Sequence, residues 1–305
     1  MQAHVSIALS TYNGERYLRQ QLESLLAQRG VGIEIVAVDD GSTDGSISIL
    51  EEYAARDSRL RWEPNATNLG PTASFERALA LCSGEWLAPC DQDDVWHPDK
   101  LRTLVDAIGD ADLAYCDSAY IDAAGGSIGQ CLSDATAMRE GRDPRLFFFA
   151  NSVSGHATLL RRSLYEAARP FPGQVFHDWW LAIVAAGRNG VHYVPQPLVD
   201  FRRHADTCSS MGARQAGTRP ALRDDWLACR LALLTAYATR ALRHNEAAAD
   251  FVRAINASAA GSANRLAALA WSHRVAAPRW SGLPALDALH LYLRLQRKAR
   301  RARPR

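Results

Sequence analysis

Asp91-Gln92-Asp93-Asp94 places three carboxylates directly after the apolar run Glu85-Trp86-Leu87-Ala88-Pro89-Cys90 and directly before Val95-Trp96. Carboxylates this close repel one another unless a cation is shared between them. Hard divalent ions such as Mg²⁺ or Mn²⁺ prefer oxygen ligands and leave room for phosphate oxygens. The stretch is therefore a candidate metal and diphosphate site. Taken alone it has a second reading, an acidic turn capping the helix at His97-Pro98-Asp99-Lys100-Leu101. Two further constellations bear on the choice: Asp39-Asp40, which also follows an apolar run, and His177-Asp178, which opens an apolar helical segment.

The elements that must position these residues follow from hydrophobic spacing. Val5 to Leu9 is short, apolar and partly β-branched, and Ser10-Thr11-Tyr12-Asn13-Gly14 ends it with turn chemistry. Leu18, Leu22, Leu25 and Leu26 recur at helical spacing up to Arg29-Gly30. A second strand is predicted from Ile33 to Val38, with Ser42, Thr43 or Asp44 capping the helix that carries Ile47, Ile49 and Leu50. Arg59 to Trp62 reads as a weaker strand, Phe75 to Leu81 as a helix and Glu85 to Cys90 as a fourth strand. This β-α alternation predicts an α/β fold, a mostly parallel sheet flanked by helices whose strand-end loops share one edge. Ser10 to Asn13, Asp39-Asp40 and Asp91 to Asp94 should then converge.

Further on, Leu101 to Ile108 marks a helix and Asp112 to Asp117 a strand, with a hairpin turn at Ile121 to Gly126. Asn151 to Leu160 is a turn feeding a strand, and Val191 to Pro195 and Pro197 to His204 read as two more. The 305 residues, 48% hydrophobic and 22% charged, can bury a real core. A net charge of +2 argues against nucleic acid as a general partner. Six scattered cysteines, including Cys208, lack zinc-type spacing and suggest a reducing compartment. With no signal peptide or membrane-spanning run, a cytoplasmic location is expected, with peripheral attachment to the inner face of the cell membrane as an option.

The set Ser10-Thr11-Tyr12-Asn13-Gly14-Glu15, Val38-Asp39-Asp40-Gly41-Ser42-Thr43-Asp44, Asn68-Leu69-Gly70 and Asp91-Gln92-Asp93-Asp94 resembles family 2 glycosyltransferases of the GT-A (Rossmann-like) fold. The resemblance extends through Arg202-Arg203-His204. It implies a nucleotide-sugar site built from Ser10, Thr11, Tyr12, Asn13, Glu15, Asp39, Asp40, Asn68, Asp91, Gln92, Asp93 and Arg202. It also implies Mn²⁺ or Mg²⁺ held among Asp91, Asp93, Asp94 and His204, an acceptor site at Gly155, His156, His177 and Trp179, and Asp178 as catalytic base. For several of these the residues themselves allow plainer roles: an N-cap before aromatic core at Asp178, a packed histidine at His156, and a basic strand end at Arg202 to His204.

The longer form D-Q-D-D-x-W is similar to the rhamnosyltransferase-like branch of bacterial polysaccharide synthesis. It implies an inverting, metal-dependent transfer of L-rhamnose from dTDP-rhamnose to a cell-surface or lipid-linked glycan. A UDP-hexose or UDP-N-acetylhexosamine donor is the alternative, and a non-catalytic nucleotide-binding assembly subunit is the alternative of another class. The glycosyltransferase domain is expected over residues 1–212 and a helical C-terminal region with a basic tail over 213–305. In that region Leu227, Leu231, Leu234, Ala238 and Leu242 follow helical spacing from about Pro220. Leu286, Leu289 and Leu293 lead into Arg294, Arg297, Lys298, Arg300, Arg301, Arg303 and Arg305, near Trp271, Trp280 and Tyr292. Such a helix can dock on an anionic membrane surface or carry a solvated tail.

Overall fold

The structure, a computed structural model, describes residues 3–204, 226–259, 264–278 and 283–301. Cys208, Pro220, Trp280, Arg303, Arg305 and the expected boundary between 212 and 213 lie outside the described residues.

Strand β1 (His4–Thr11) is followed by helix α1 (Glu15–Leu26), and the alternation continues through β2 (Gly32–Asp39), α2 (Ser46–Arg56), β3 (Leu60–Pro64), α3 (Pro71–Leu81) and β4 (Trp86–Cys90). β1 is paired in parallel with β2 on one side and β4 on the other, and β3 pairs in parallel with β2. After β5 (Val95–Trp96) and α4 (Lys100–Ala107) come the hairpin β6 (Leu113–Ile121) and β7 (Ser127–Cys131), α5 (Leu132–Ala135), β8 (Thr158–Arg161), α6 (Arg162–Ala168), α7 (His177–Gly187) and β9 (Val191–Arg202). The sheet runs β3-β2-β1-β4-β8-β6-β9-β5, with β7 beside β6. β3, β2, β1, β4, β6 and β9 point the same way, while β8, β7 and β5 run against them. The mixed, mostly parallel sheet flanked by helices is the expected α/β architecture.

Period-two alternation divides the core into two layers. Val5, Ile7, Leu9, Ile33 and Ile35 face Leu18, Leu22 and Leu25 of α1, Ile49 and Leu50 of α2, and Leu101 and Leu104 of α4. Each fully buried aliphatic side chain contributes about 1.5–3 kcal/mol. Ala8, Val36 and Val38 face the other way, toward α3, α6 and α7. From His177 to Gly187 all but Asp178 is buried, because α7 lies in this layer and is apolar on nearly every side.

Four helices complete the described chain: α8 (Trp226–Ala238), α9 (Asn245–Ala259), α10 (Asn264–Ser272) and α11 (Pro284–Arg301). They add Leu234, Tyr237, Phe251, Leu291 and Leu295 to the layer that holds α3 and α7. The join is aromatic, with Phe251 edge-on to Phe148 and Phe149 at ring separations of 6.1 and 5.1 Å.

Two local expectations change. Val191 to Arg202 is one strand, because Pro195 and Pro197 shift the register against Cys116 and Asp117 instead of ending the pairing. Proline removes a ladder donor, and a bulge accommodates that loss. Helix α2 begins at Ser46 after Gly45, and Asp44 accepts the Ser46 and Glu15 N–H groups just outside it.

Candidate active site

The parallel register brings the ends of β1, β2 and β4 to one sheet edge, and hydrogen bonds knit their loops together. Gln92 Oε1 accepts from Thr11 Oγ1 at 2.7 Å and from the Tyr12 N–H at 2.8 Å, while Gln92 Nε2 donates to the Tyr12 carbonyl at 3.1 Å. Asn13, in the left-handed region at φ 49°, receives the Thr43 N–H on its side chain at 2.8 Å and donates its own N–H to Ser42 Oγ at 2.9 Å. The Glu15 carboxylate accepts the Gly45 N–H at 2.9 Å.

Asp39 and Asp40 are buried beneath these loops. Asp39 accepts from the Gly41 and Ser42 N–H groups and from the Ser42 hydroxyl. Asp40 accepts from Asn65 Nδ2 at 2.6 Å, the Leu69 N–H at 2.7 Å and the Gly70 N–H at 2.9 Å, and its carbonyl receives Asn68 Nδ2 at 3.0 Å. A carboxylate offers about four acceptor positions, so each keeps little capacity beyond loop building. Gly70 sits at φ +81°, a conformation that suits glycine and that turns its N–H onto Asp40 before Pro71 starts α3. Tyr12 and Leu69 stand exposed on the rim.

The acidic loop divides into two clusters. Asp93 Oδ2 lies 2.8 Å from His204 Nε2. On the other side, His156 Nδ1 lies 3.6 Å from Asp91 Oδ2 and 3.4 Å from Asp94 Oδ2, with its Nε2 3.0 Å from Ser118 Oγ. Ligand-type atoms of Asp91, Asp94 and His156 all lie within 4.8 Å of one another. Asp94 Oδ1 accepts the Arg202 N–H at 3.0 Å, whereas its buried Oδ2 has no hydrogen-bond partner. Two carboxylate oxygens, one of them orphaned, and an imidazole nitrogen form a donor set that fits Mn²⁺ or Mg²⁺.

The electrostatics agree with a cation-seeking pocket. Burial, reinforced by the Asp93 and Asp91 charges, pushes the Asp94 carboxyl up. Burial also opposes charge on Asp91 and His156, yet Asp94 and then Asp91 hold the imidazole charged and His156 holds the Asp91 carboxylate charged, so Asp91 is lowered and His156 raised. Behind them, buried Lys100 donates to the His156 carbonyl at 2.5 Å and lies over the Trp96 ring. Burial brings Lys100 down to about 7.

Arg202 is buried. It donates to the Asp93 carbonyl at 2.8 Å, to Gln20 Oε1 at 2.7 Å and to the Asp122 carbonyl at 3.2 Å, and it lies over Tyr17. These contacts tie the end of β9 to the acidic loop.

Helix α7 presents the remaining residues. Asp178 Oδ1 accepts the Trp179 N–H at 2.5 Å, and burial, helped by the Asp91 charge, pushes its carboxyl up to about 7. His177 stacks on Phe75 at 3.9 Å between ring centroids, and its buried Nε2 has no hydrogen-bond partner. Burial lowers His177 to about 4, so its ring is neutral at pH 7. Gly155 makes room for it, since a Cβ there would overlap His177 Nε2. Trp179 is buried, its indole N–H donating to the Phe147 carbonyl at 2.6 Å, with Arg230 4.8 Å from the ring centroid.

The structure thus joins the strand-end motifs as expected and sets His156 between Asp91 and Asp94. Lys100 was not expected at the site. Its spacing to Leu104, one turn on, was the available signal that it faces inward.

Comparison with known proteins accords with this geometry. Residues 6–168 match the family model Glycosyl transferase family 2. The chain is 33% identical over 213 residues to EpsH of Bacillus subtilis, named as a glycosyltransferase, covering 66% of this chain and 61% of EpsH, so the match spans less than two thirds of that relative. It is 27% identical over 210 residues to the dTDP-rhamnosyl transferase RfbG of Shigella flexneri, covering 64% of this chain and 71% of RfbG. The fold is that of S. aureus TarS, solved in complex with UDP-GlcNAc, at a TM-score of 0.62 and 16% identity, covering 99% of this chain and 93% of the TarS chain. The matched segment holds the knitted loops, the acidic cluster and His156, and the chain belongs to glycosyl transferase family 2.

Proposed function

We propose that the protein is an inverting, metal-dependent glycosyltransferase that moves L-rhamnose from dTDP-rhamnose to a hydroxyl of a cell-surface or lipid-linked glycan. The observation that carries this reading is the convergence of the knitted strand-end loops on the Asp91, Asp94 and His156 donor set, with Asp178 at the start of α7 as a buried carboxyl raised to about 7. A base poised near the working pH is what proton abstraction from a hydroxyl requires. The acceptor oxygen attacks the anomeric carbon from the side opposite the diphosphate, and the C–O bond forms as the bond to the leaving phosphate oxygen breaks. The electron pair leaves with the diphosphate and the hydroxyl proton passes to Asp178.

The Ser10 to Asn13 loop, Glu15, Asp39, Asp40, Asn68 and Gln92 shape the nucleotide side, and Asp91 and Asp93 reach the sugar diphosphate. Gly155, His156, His177 and Trp179 frame the acceptor side. Asp91, Asp94 and His156 would hold a divalent cation, with Asp93 and His204 beside them. When bound, Mn²⁺ or Mg²⁺ supplies positive charge to the departing diphosphate.

The RfbG relative and the D-Q-D-D-x-W form support rhamnose as the sugar. The TarS likeness supports a UDP-N-acetylhexosamine donor as the second reading. The catalytic unit is assigned to residues 1–212, working at the cytoplasmic face of the membrane, and the helices of 213–305 to placement there. A panel of dTDP and UDP sugars with Mn²⁺, read by thermal shift and product formation, tests the donor. Asp178→Asn is expected to bind the donor with unchanged affinity and to lose transfer by about 10²–10⁴-fold. Full turnover in that variant would remove the base assignment.

A further inference from the structure

Helix α11 has two apolar faces. Ala288, Leu291, Leu295 and Ala299 are buried against the neighbouring helices and supply all the packing that an amphipathic helix needs. Leu286, Leu289 and Leu293 lie on the opposite face, 44%, 49% and 49% exposed. Their spacing of three and four residues continues into Arg297 and Arg300, both exposed, with Lys298 alongside. No acidic residue follows Asp287 in the sequence. Trp271, on the adjoining helix α10, is 60% exposed. Among the described residues no helix is long and apolar enough to cross a membrane.

We propose that the outer face of α11 is a docking surface for an anionic phospholipid bilayer, on which the helix lies in the interface plane. Leu286, Leu289 and Leu293 enter the boundary between headgroups and acyl chains, and the basic end of the same stripe sits among the anionic headgroups. The charge argues for an anionic lipid surface, because the stripe ends in exposed Arg297 and Arg300 with no acidic residue after Asp287 to offset them. Apolar insertion and electrostatic attraction add, which is how interfacial helices bind. The proposal takes its purpose from the lipid-linked acceptor in the functional reading, but membrane contact can be measured with no transfer taking place.

The test uses the full chain with vesicles of phosphatidylcholine alone or with a third phosphatidylglycerol. Sedimentation is expected with the anionic vesicles only and to be released by high salt. Arg297→Glu with Arg300→Glu is expected to weaken partitioning by more than tenfold, since each basic residue near such a surface contributes about fivefold. Leu286→Ser, Leu289→Ser and Leu293→Ser combined should weaken it further. Circular dichroism and donor binding should be unchanged in both variants, because none of these side chains lies in the core or the site. Equal recovery in the supernatant with both vesicle types would overturn the proposal. So would a lipid-free dimer that the leucine variant dissociates, which would assign the face to a second copy. Loss of vesicle binding with intact transfer to a soluble acceptor would leave the enzymatic reading standing, and the reverse result would separate the two in the other direction.

Discussion

Asp40 and Asp178 are both carboxylates held at the edge of the same sheet, and their surroundings differ in kind. Asp40 is met by the amide of Asn65 and by the backbone N–H groups of Leu69 and Gly70. Asp178 has only the backbone N–H groups of Trp179 and Gly155, a largely apolar helix behind it and the charge of Asp91 nearby. The first arrangement uses a negative charge to organise a loop. The second withholds partners, so the proton is nearly balanced between bound and free at neutral pH. Asp94 Oδ2, with only the His156 ring 3.4 Å away, and His177 Nε2 lack hydrogen bonds and belong with the second pattern. Hydrogen bonds are thus concentrated on the loops proposed to hold the nucleotide, while Asp94 Oδ2 and His177 Nε2 lack them near the proposed base.

Exchanging roles between these two carboxylates is the sharpest way to break the comparison. Asp178→Asn should lower turnover by about 10²–10⁴-fold, roughly 3–5 kcal/mol of transition-state stabilisation, with little loss of stability in urea unfolding. Asp40→Ala should do the reverse. It removes the acceptor of the Leu69 and Gly70 N–H groups and one of the two acceptors of Asn65 Nδ2, for a stability loss of about 2–4 kcal/mol, with weaker donor binding following from the loosened loop. If Asp40→Ala unfolds at the wild-type urea midpoint, the organising role is wrong. Gly155→Ala should give a smaller effect, about 1–3 kcal/mol from overpacking against His177, and should reduce kcat for transfer more than donor affinity. Unchanged kinetics there would show that the position of the His177 ring has no bearing on the reaction.

The nucleotide side was the more legible half because its organisation is local. Apolar runs ending in Ser-Thr-Tyr-Asn-Gly, Asp-Asp-Gly-Ser and Asp-Gln-Asp-Asp announce strands and the loops after them, and parallel pairing then brings those loops together with no further information. Asp178 was legible as a carboxylate opening a helix. Its raised proton affinity was not, since that depends on burial and on what Asp91, His156 and Gly155 place around it. The contact of His156 with Asp94 joins distant parts of the chain through β8 and carries no spacing signal. Lys100 reads as a surface lysine at a helix start until Trp96 and His156 are seen to enclose it. Pro195 and Pro197 looked like a strand break because the pairing they interrupt, to Cys116 and Asp117, is set by β6. The outer leucines of α11 were visible as a helical stripe, but only packing shows that a different stripe serves the core.

The last expected effect is on the pH dependence of stability, and its sign separates the two patterns. An unfolded aspartate titrates near 3.9, whereas Asp178 is raised to about 7 in the folded protein. Between those values the folded state holds a proton that the unfolded state has released, so stability falls as pH rises through this window. The slope from one such group is at most about 1.4 kcal/mol per pH unit, and it vanishes above the folded value. Asp94, shifted in the same direction, adds a slope of the same sign. Asp178→Asn should therefore flatten the urea midpoint measured from pH 5 to 7 and leave the variant more stable than wild type at pH 8. Transfer by the wild type should rise over the same window as the base loses its proton. If the variant keeps the wild-type slope, Asp178 does not hold a proton in the folded state. The contrast with Asp40 would then have to rest on hydrogen bonding alone.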